Sequence, residues 1–271
     1  MITNKNIVIT GGSSGIGKAI LEILAAGEGN RILVACRSAE KVTGFGENVI
    51  LFGCDLSLRE GVDALFEKIG ETFDKADIFI SNAGAPYYEV FDYVNWDRVE
   101  SIYRLNTITP VYTYTKYLEH LNGREGHLAY TISAMGEMAL PGYALYTSTK
   151  FAMKGFQQAI RLEKPDNLKL TCIYPVSTDT NFFHVGGNGV HVERPFPVQS
   201  AEGVAKATVR AVERGKKQVY PCPVYLPSKV LMTVLPPVRS IYWKIEKGRL
   251  ARFLARKAEA ERNKFGECDK E

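Results

Sequence analysis

Ile7-Val8-Ile9-Thr10-Gly11-Gly12-Ser13-Ser14-Gly15-Ile16-Gly17 is the stretch whose reading decides the fold. A short apolar, β-branched run, Ile7–Thr10, leads directly into a glycine turn, and Lys18–Ala26 continues as helix. Strand, glycine turn and helix in that order open a nucleotide-binding βαβ unit. Gly11 permits the tight turn, Gly15 lets backbone approach a pyrophosphate, and Gly17 lets the helix pack close to the strand. The helix N-terminus then offers free N–H groups and the positive end of its dipole to phosphate. The spacing is G-x3-G-x-G rather than G-x-G-x-x-G. Its place between a strand and a helix separates it from an ordinary glycine-rich loop.

Downstream, the pattern repeats. Strands are predicted at Arg31–Cys36, Val49–Gly53, Ala76–Ser81, Leu128–Ser133, Leu168–Tyr174 and Gln218–Tyr220. Helices are predicted at Leu58–Phe73, Trp96–Leu121, Ala144–Arg161 and Ala201–Arg214. Asn181–Gln199 reads as irregular, a long loop of the kind that serves as a lid. Strands alternating with helices, without linker or repeat, predict an α/β fold. Its doubly wound, mostly parallel sheet (a Rossmann fold) forms a single domain. Residues 1–220 are expected to be the nucleotide-binding catalytic domain, and 221–271 a basic, amphipathic C-terminal helical extension.

Several strand ends carry chemistry. No Asp or Glu occupies Leu33–Ser38, and Arg37-Ser38 follows the second strand. An acidic residue there would hold both ribose hydroxyls, whereas an arginine meets a 2′-phosphate. This favours NADP(H) over NAD(H), against the alternative of a solvated arginine. Asp55-Leu56 follows the third strand; Asp55 could accept from an adenine amino group or cap the helix Leu58–Phe73, with Ser57 competing for the cap. Both readings stay open. Asn82-Ala83-Gly84 places small residues at the end of a central strand, leaving room for a ligand. Pro110 clashes with the carbonyl four residues back, so a kink is expected at Asn106. Tyr146 and Lys150, four residues apart on a helix, share a face, and a neighbouring cation favours a phenolate.

The 271 residues are 45% hydrophobic and 24% charged, an ordinary globular composition. No apolar leader precedes Asn6–Thr10, and no run reaches the roughly 18 apolar residues that cross a bilayer. The five cysteines (Cys36, Cys54, Cys172, Cys222 and Cys268) form no CxxC pair and read as reduced, mostly buried thiols of a cytoplasmic protein. The four histidines lack metal-site spacing and read as surface or loop residues; no metal is expected. No nucleic-acid motif is present. Residues 239–271 hold ten Lys/Arg and six Asp/Glu, which is the entire net charge of +4. Helix Arg239–Phe265 mixes these cations with Ile241, Tyr242, Trp243, Ile245, Leu250, Phe253 and Leu254. Such a helix either lies on a membrane surface or packs on the body or a second subunit.

Taken in order, Thr10-Gly11-x3-Gly15-x-Gly17, Asp55, Asn82-Ala83-Gly84, Asn106, Ser133, Tyr146-x3-Lys150 and Pro175…Thr180 resemble the classical short-chain dehydrogenase/reductase family over roughly residues 5–220. The resemblance implies an Asn106–Ser133–Tyr146–Lys150 tetrad. Tyr146 would be general acid/base, and Ser133 would hold the substrate oxygen. Lys150 would lower the Tyr146 pKa and bind the nicotinamide ribose; Asn106 would hold a relay water. It implies cofactor contacts from Gly11, Ser13, Ser14, Gly15, Ile16, Gly17, Arg37, Ser38, Asp55, Leu56, Asn82, Ala83, Gly84, Pro175, Thr178 and Thr180, with Tyr146 and Lys150. The implied reaction moves a hydride between nicotinamide and a carbonyl or secondary alcohol, in a homodimer or homotetramer. Val176 stands where the family usually has glycine. Tyr174-Pro175-x-x-Thr178-Asp179-Thr180, with the Thr10–Ser14 opening, is similar to the branch that contains 3-ketosphinganine reductases, whose C-terminal extensions are associated with membranes. That likeness implies a lipid-like 3-keto substrate and a protein peripheral to a membrane. Competing uses of the fold are nucleotide-sugar epimerases or dehydratases, which have longer C-terminal regions, and NADP sensors, which often lack the Tyr or Lys.

Overall fold

The computed structural model describes residues 1–92 and 95–268, with side chains described as far as Asn263. In chain order the main sheet is built from β1 (Asn6–Thr10), β2 (Arg31–Cys36), β3 (Val49–Gly53), β4 (Ile78–Ser81), β5 (Gly126–Thr131) and β6 (Leu168–Ile173). A short pair, β7 (Ser177–Asp179) and β8 (Val198–Ser200), stands apart, and β9 (Gln218–Val219) closes the edge. The seven main strands are parallel and run β3-β2-β1-β4-β5-β6-β9. The expected doubly wound sheet is therefore present. The strand order reverses direction between β1 and β4, which opens a crevice at their carboxyl ends.

Alternation along each strand feeds two cores. Ile7 and Ile9 of β1, with Ile32 and Val34 of β2, face one side and pack on α1 (Gly15–Ala25) through Ile20, Leu21 and Leu24. Val8 and Leu33 face the other side, against α2 (Arg59–Thr72) through Leu65, Phe66 and Ile69. Both faces are apolar because helices cover both. Among these residues Phe79 of β4 is fully buried, with ring centroids 5.6 Å from both Phe66 and Tyr117.

The expected long helix is α3 (Trp96–Tyr103) and α4 (Thr109–Leu121), joined by a π-helical turn at Arg104–Ile108. The irregularity centres on Asn106, where Pro110 removes a donor. Then come α5 (Ala144–Glu163), α6 (Phe182–Gly186), α7 (Ala201–Glu213), α8 (Tyr225–Val234) and α9 (Pro236–Cys268). The segment read as irregular at Asn181–Gln199 holds the short α6 and ends in β8, which pairs with β7. The last helix starts at Pro236, three residues before the expected Arg239; the proline is part of the helix. It occupies the first position of α9, where its missing N–H costs nothing.

Cys36, Cys172 and Cys222 are buried, Cys54 is half-buried, and all four are unpaired; the Cys268 thiol lies outside the described side chains. The histidine reading needs one correction. His127 lies in β5, which begins two residues earlier than expected. It is buried with Nε2 2.8 Å from Thr171 Oγ1, and burial lowers its pKa to about 4.

α9 packs on the body. Trp243 Nε1 donates to Ala139 O (2.9 Å), the Tyr242 hydroxyl to Phe196 O (2.8 Å), and the Phe253 ring lies 4.8 Å from that of Tyr88. Arg252 clasps Glu193 with two hydrogen bonds (2.8 and 2.7 Å), and Arg256 adds a third (3.0 Å). The packed-helix alternative thus holds for this face. The opposite side still exposes Ile241 and Ile245, and α8 exposes Leu226, Val230, Leu231 and Val234. Among the described residues no helix is long and apolar enough to cross a membrane.

Candidate active site

At the crevice the glycine turn is fixed by steric limits. Gly11 has φ +70°, and a Cβ there would fall 2.9 Å from the Ala83 Cα. A Cβ on Gly17 would stand 2.1 Å from Gly11 O, so helix and turn can only approach this closely without one. Ser14 is the N-cap of α1, yet its side chain makes no capping bond. The helix N-terminus therefore keeps free N–H donors beside a cavity, the arrangement that receives phosphate.

That cavity holds about 400 Å³ and runs from the glycine turn to the lid segment. Of the residues singled out by sequence, all but Gly17 and Asn106 line it: Gly11, Ser13–Ile16, Arg37, Ser38, Asp55, Leu56, Asn82–Gly84, Ser133, Tyr146, Lys150, Pro175, Thr178 and Thr180. Gly17 lies behind the turn, in its packing role. Asp55 Oδ1 accepts from the Ser57 N–H (2.9 Å) and hydroxyl (2.8 Å), and these bonds, with the Arg37 charge, hold its carboxyl low. Neither Asp55 nor Ser57 caps α2; that position is Leu58, which has no acceptor. Asn82 is a brace. Its Nδ2 reaches Gly11 O (3.2 Å), and its Oδ1 accepts from the Thr131 hydroxyl (3.1 Å).

Asn106 is buried off the cavity wall. Its Oδ1 accepts from Ala85 N (2.7 Å), and its Nδ2 donates to Ala85 O (3.0 Å) and Thr149 Oγ1 (3.3 Å). It pins the loop after β4 from both sides. A Cβ on Gly84 would lie 3.3 Å from Asn106 Oδ1 and 3.8 Å from Lys150 Nζ, so this glycine separates the two side chains.

Tyr146 and Lys150 are both buried on α5. Lys150 Nζ donates to Thr131 O (3.3 Å) and stands 5.5 Å from the Tyr146 ring centroid. The lowering of the Tyr146 pKa expected from Lys150 is not found. Burial pushes Tyr146 up to about 12, with the Ser133 hydrogen bond pulling the other way, and burial brings Lys150 down to about 8. Removal from water disfavours both charged forms. Ser133 has φ +144° and ψ 154°, a region nearly reserved for glycine that costs about 1–3 kcal/mol. Its Oγ accepts from Met135 N (3.1 Å).

Beyond Tyr146 the lining is apolar and was not legible beforehand: Met135, Met138, Leu140, Phe196, and Tyr225 and Tyr242 from α8 and α9. Phe182 and Phe183 line the cavity too, and the Phe182 ring meets the Tyr146 ring edge-on at 5.3 Å. Val176 lines the cavity, but not as a lone side chain. It packs with Ala134, Cys222 and Tyr225, so the usual glycine is replaced by a contact to the start of α8.

Residues 5–187 match the family described as short chain dehydrogenase. The chain belongs to that family. It is an NAD(P)-dependent oxidoreductase acting on CH–OH/C=O groups. It is 27% identical over 232 residues to a 3-dehydrosphinganine reductase of Danio rerio, covering 79% of this chain and 70% of that one. It is 30% identical over 224 residues to a 3beta-hydroxysteroid dehydrogenase 2 of Eggerthella lenta, covering 77% and 80%. A short-chain dehydrogenase from Burkholderia cenocepacia J2315, solved in complex with NADP, shares the fold with a TM-score of 0.75 at 18% identity. That match covers 89% of this chain and 98% of that one.

The depressed Lys150 pKa has a consequence for stability. Between about pH 8 and 10.5 the unfolded chain holds the lysine proton that the folded chain has released. Stability therefore rises with pH across that window. Tyr146 opposes this only above pH 10, where the unfolded phenol ionises first. In urea titrations from pH 8 to 10, the wild-type protein should gain stability relative to Lys150→Met. A flat difference would show that Lys150 is not held down.

Proposed function

We propose that the protein is an NADP(H)-dependent oxidoreductase of a ketone or secondary alcohol within an apolar, lipid-like molecule. The observation that carries this reading is the cavity itself: a phenol, a hydroxyl and a buried ammonium stand where an apolar chamber meets a glycine turn. The sphinganine and steroid relatives named above act on lipids and support the substrate class. The apolar walls disfavour a nucleotide sugar, whose hydroxyls and phosphates need polar partners.

When bound, the nicotinamide cofactor supplies or accepts the hydride. The turn Gly11–Ile16 and the start of α1 would hold its phosphates. Arg37 and Ser38 would take the adenosine end, with Arg37 at a 2′-phosphate, and Pro175, Thr178 and Thr180 would line the nicotinamide end. In the reducing direction Tyr146 gives its proton to the substrate oxygen as negative charge grows there. Ser133 donates a second hydrogen bond to the same oxygen; one such donor is typically worth about 3 kcal/mol. Lys150, still protonated at pH 7, favours the phenolate that Tyr146 leaves behind. Asn106 acts by fixing Ala85 beside Gly84, which sets the room around the ammonium.

The exposed apolar side chains of α8 and early α9, with Lys244 and Lys247, support contact with an anionic lipid surface beside the chamber. A cytoplasmic protein held at such a surface is the placement this implies. Exposed Phe151 and Leu162 on α5 support assembly as a homodimer or homotetramer.

Tyr146→Phe should bind NADPH, seen as a fluorescence shift, and lose about 10²-fold or more of its ketone reduction; full activity would sink the mechanism. Arg37→Asp should move the ratio of kcat/KM for NADPH over NADH toward NADH. An unchanged ratio would take Arg37 out of the cofactor site. In co-sedimentation with anionic-lipid vesicles, Val230→Glu/Val234→Glu should stay in the supernatant while wild type pellets; equal recovery would reject the lipid contact.

A further inference from the structure

Ser133 occupies a backbone conformation that a residue with a side chain does not hold by itself. Its loop must be fixed on both sides. Sheet continuation holds both neighbours: Ile132 N before it donates to Ile173 O and Ala134 N after it to Pro175 O, each at 2.8 Å. Downstream the backbone only turns on itself, with Gly136 N on Ser133 O (3.0 Å) and Glu137 N on Ala134 O (2.9 Å). Besides the bond from Ala134 N to Pro175 O and the packing of Gly136 on α5, the Glu137 carboxylate ties this turn to the rest of the molecule.

That carboxylate is only 3% exposed and has four donors within reach, one of them shared. Oε1 receives Lys154 Nζ (3.0 Å) and the Tyr220 hydroxyl (3.2 Å); Oε2 receives Lys229 Nζ (2.6 Å) and lies 3.3 Å from the Tyr225 hydroxyl. The same Tyr225 hydroxyl is 3.3 Å from Ala134 O, the residue after Ser133. Lys154 is one turn beyond Lys150 on α5, and Gly136 sits so close to α5 that a Cβ would lie 2.8 Å from Lys150 O. Lys229 and Tyr225 belong to α8. Apolar packing would fill this place without burying a charge, so a fully paired carboxylate here specifies geometry at the cost of desolvation.

We propose that Glu137 is a positioning residue of the reaction, holding the Ser133 loop in register with Tyr146 and Lys150 and making α8 part of the site's support. This rests on the reading of Ser133 and Tyr146 given above. Glu137 is outside the cavity and touches neither substrate nor cofactor; it acts through Ser133.

The test is a cycle in the full-length protein: wild type, Glu137→Gln, Ser133→Ala and the double variant. Each is assayed with NADPH and the ketone that wild type reduces fastest in a screen of long-chain alkyl and steroid ketones. Glu137→Gln should lower kcat about tenfold or more with NADPH affinity unchanged. The double variant should be no slower than Ser133→Ala alone, because Glu137 has nothing left to position. A kcat within twofold of wild type, or the same loss repeated in the Ser133→Ala background, would overturn the proposal. A Ser133→Ala variant with wild-type kcat overturns the role given to Ser133, and the proposal with it, and is told apart by that arm alone. If circular dichroism shows Glu137→Gln unfolded, Lys229→Met, on the half-exposed side of the same carboxylate, carries the comparison with the same outcomes.

Discussion

The hydroxyl of Thr10 holds the crevice together. Placed at the last position of β1, it accepts the N–H groups of Asn82 (3.0 Å) and Ala83 (3.1 Å) at the end of β4. These two strands are the pair at which the sheet reverses its order, so their ends would otherwise splay with unpaired backbone groups. With them clasped, Asn82 can reach back to the glycine turn and across to Thr131. Thr131 O in turn receives Lys150. A chain of short polar contacts thus runs from the glycine-turn end of the cavity to the buried ammonium, every link on the carboxyl edge of the parallel sheet.

Beyond that edge, water is kept out by parts of the chain distant in sequence. The loop after β5, the lid segment and α9 form one apolar cluster with Tyr146 in it. Exclusion of water accounts for the opposed shifts of Tyr146 and Lys150. The lid is fastened by charge. Glu193 is drawn down to about pKa 2, first by Arg252 and then by Arg256, so it stays ionised across any ordinary pH range.

The parallel sheet and much of the cavity wall were readable because apolar β-branched runs, glycine turns and the four-residue Tyr146–Lys150 spacing are local signals. Several details turn on partners that spacing does not reveal, most of them remote in the chain. Asn106 pointed to a kink correctly, yet its amide is consumed by Ala85, which no spacing indicates. Asp55 pairs with Ser57 where a helix cap was considered. Val176 is accommodated by Cys222 and Tyr225, more than forty residues on. Glu137 carried no signal at all, since a single acidic residue in a loop is ordinarily solvated and its four donors come from α5, α8 and the segment between β9 and α8. Tyr225 and Tyr242 reach the chamber only because the C-terminal helices fold back over it.

That return of the C-terminal helices sets a timetable for the chain. A growing polypeptide can form the βαβ units, the clasp at Thr10 and the glycine turn while α8 and α9 are still unmade. The lid then has no Arg252 or Arg256 to hold Glu193, and the loop bearing Ser133 has no Lys229 or Tyr225. Nucleotide-binding surface and reactive chamber therefore mature at different moments of synthesis. The glycine turn comes early, and the apolar walls around Tyr146 come last.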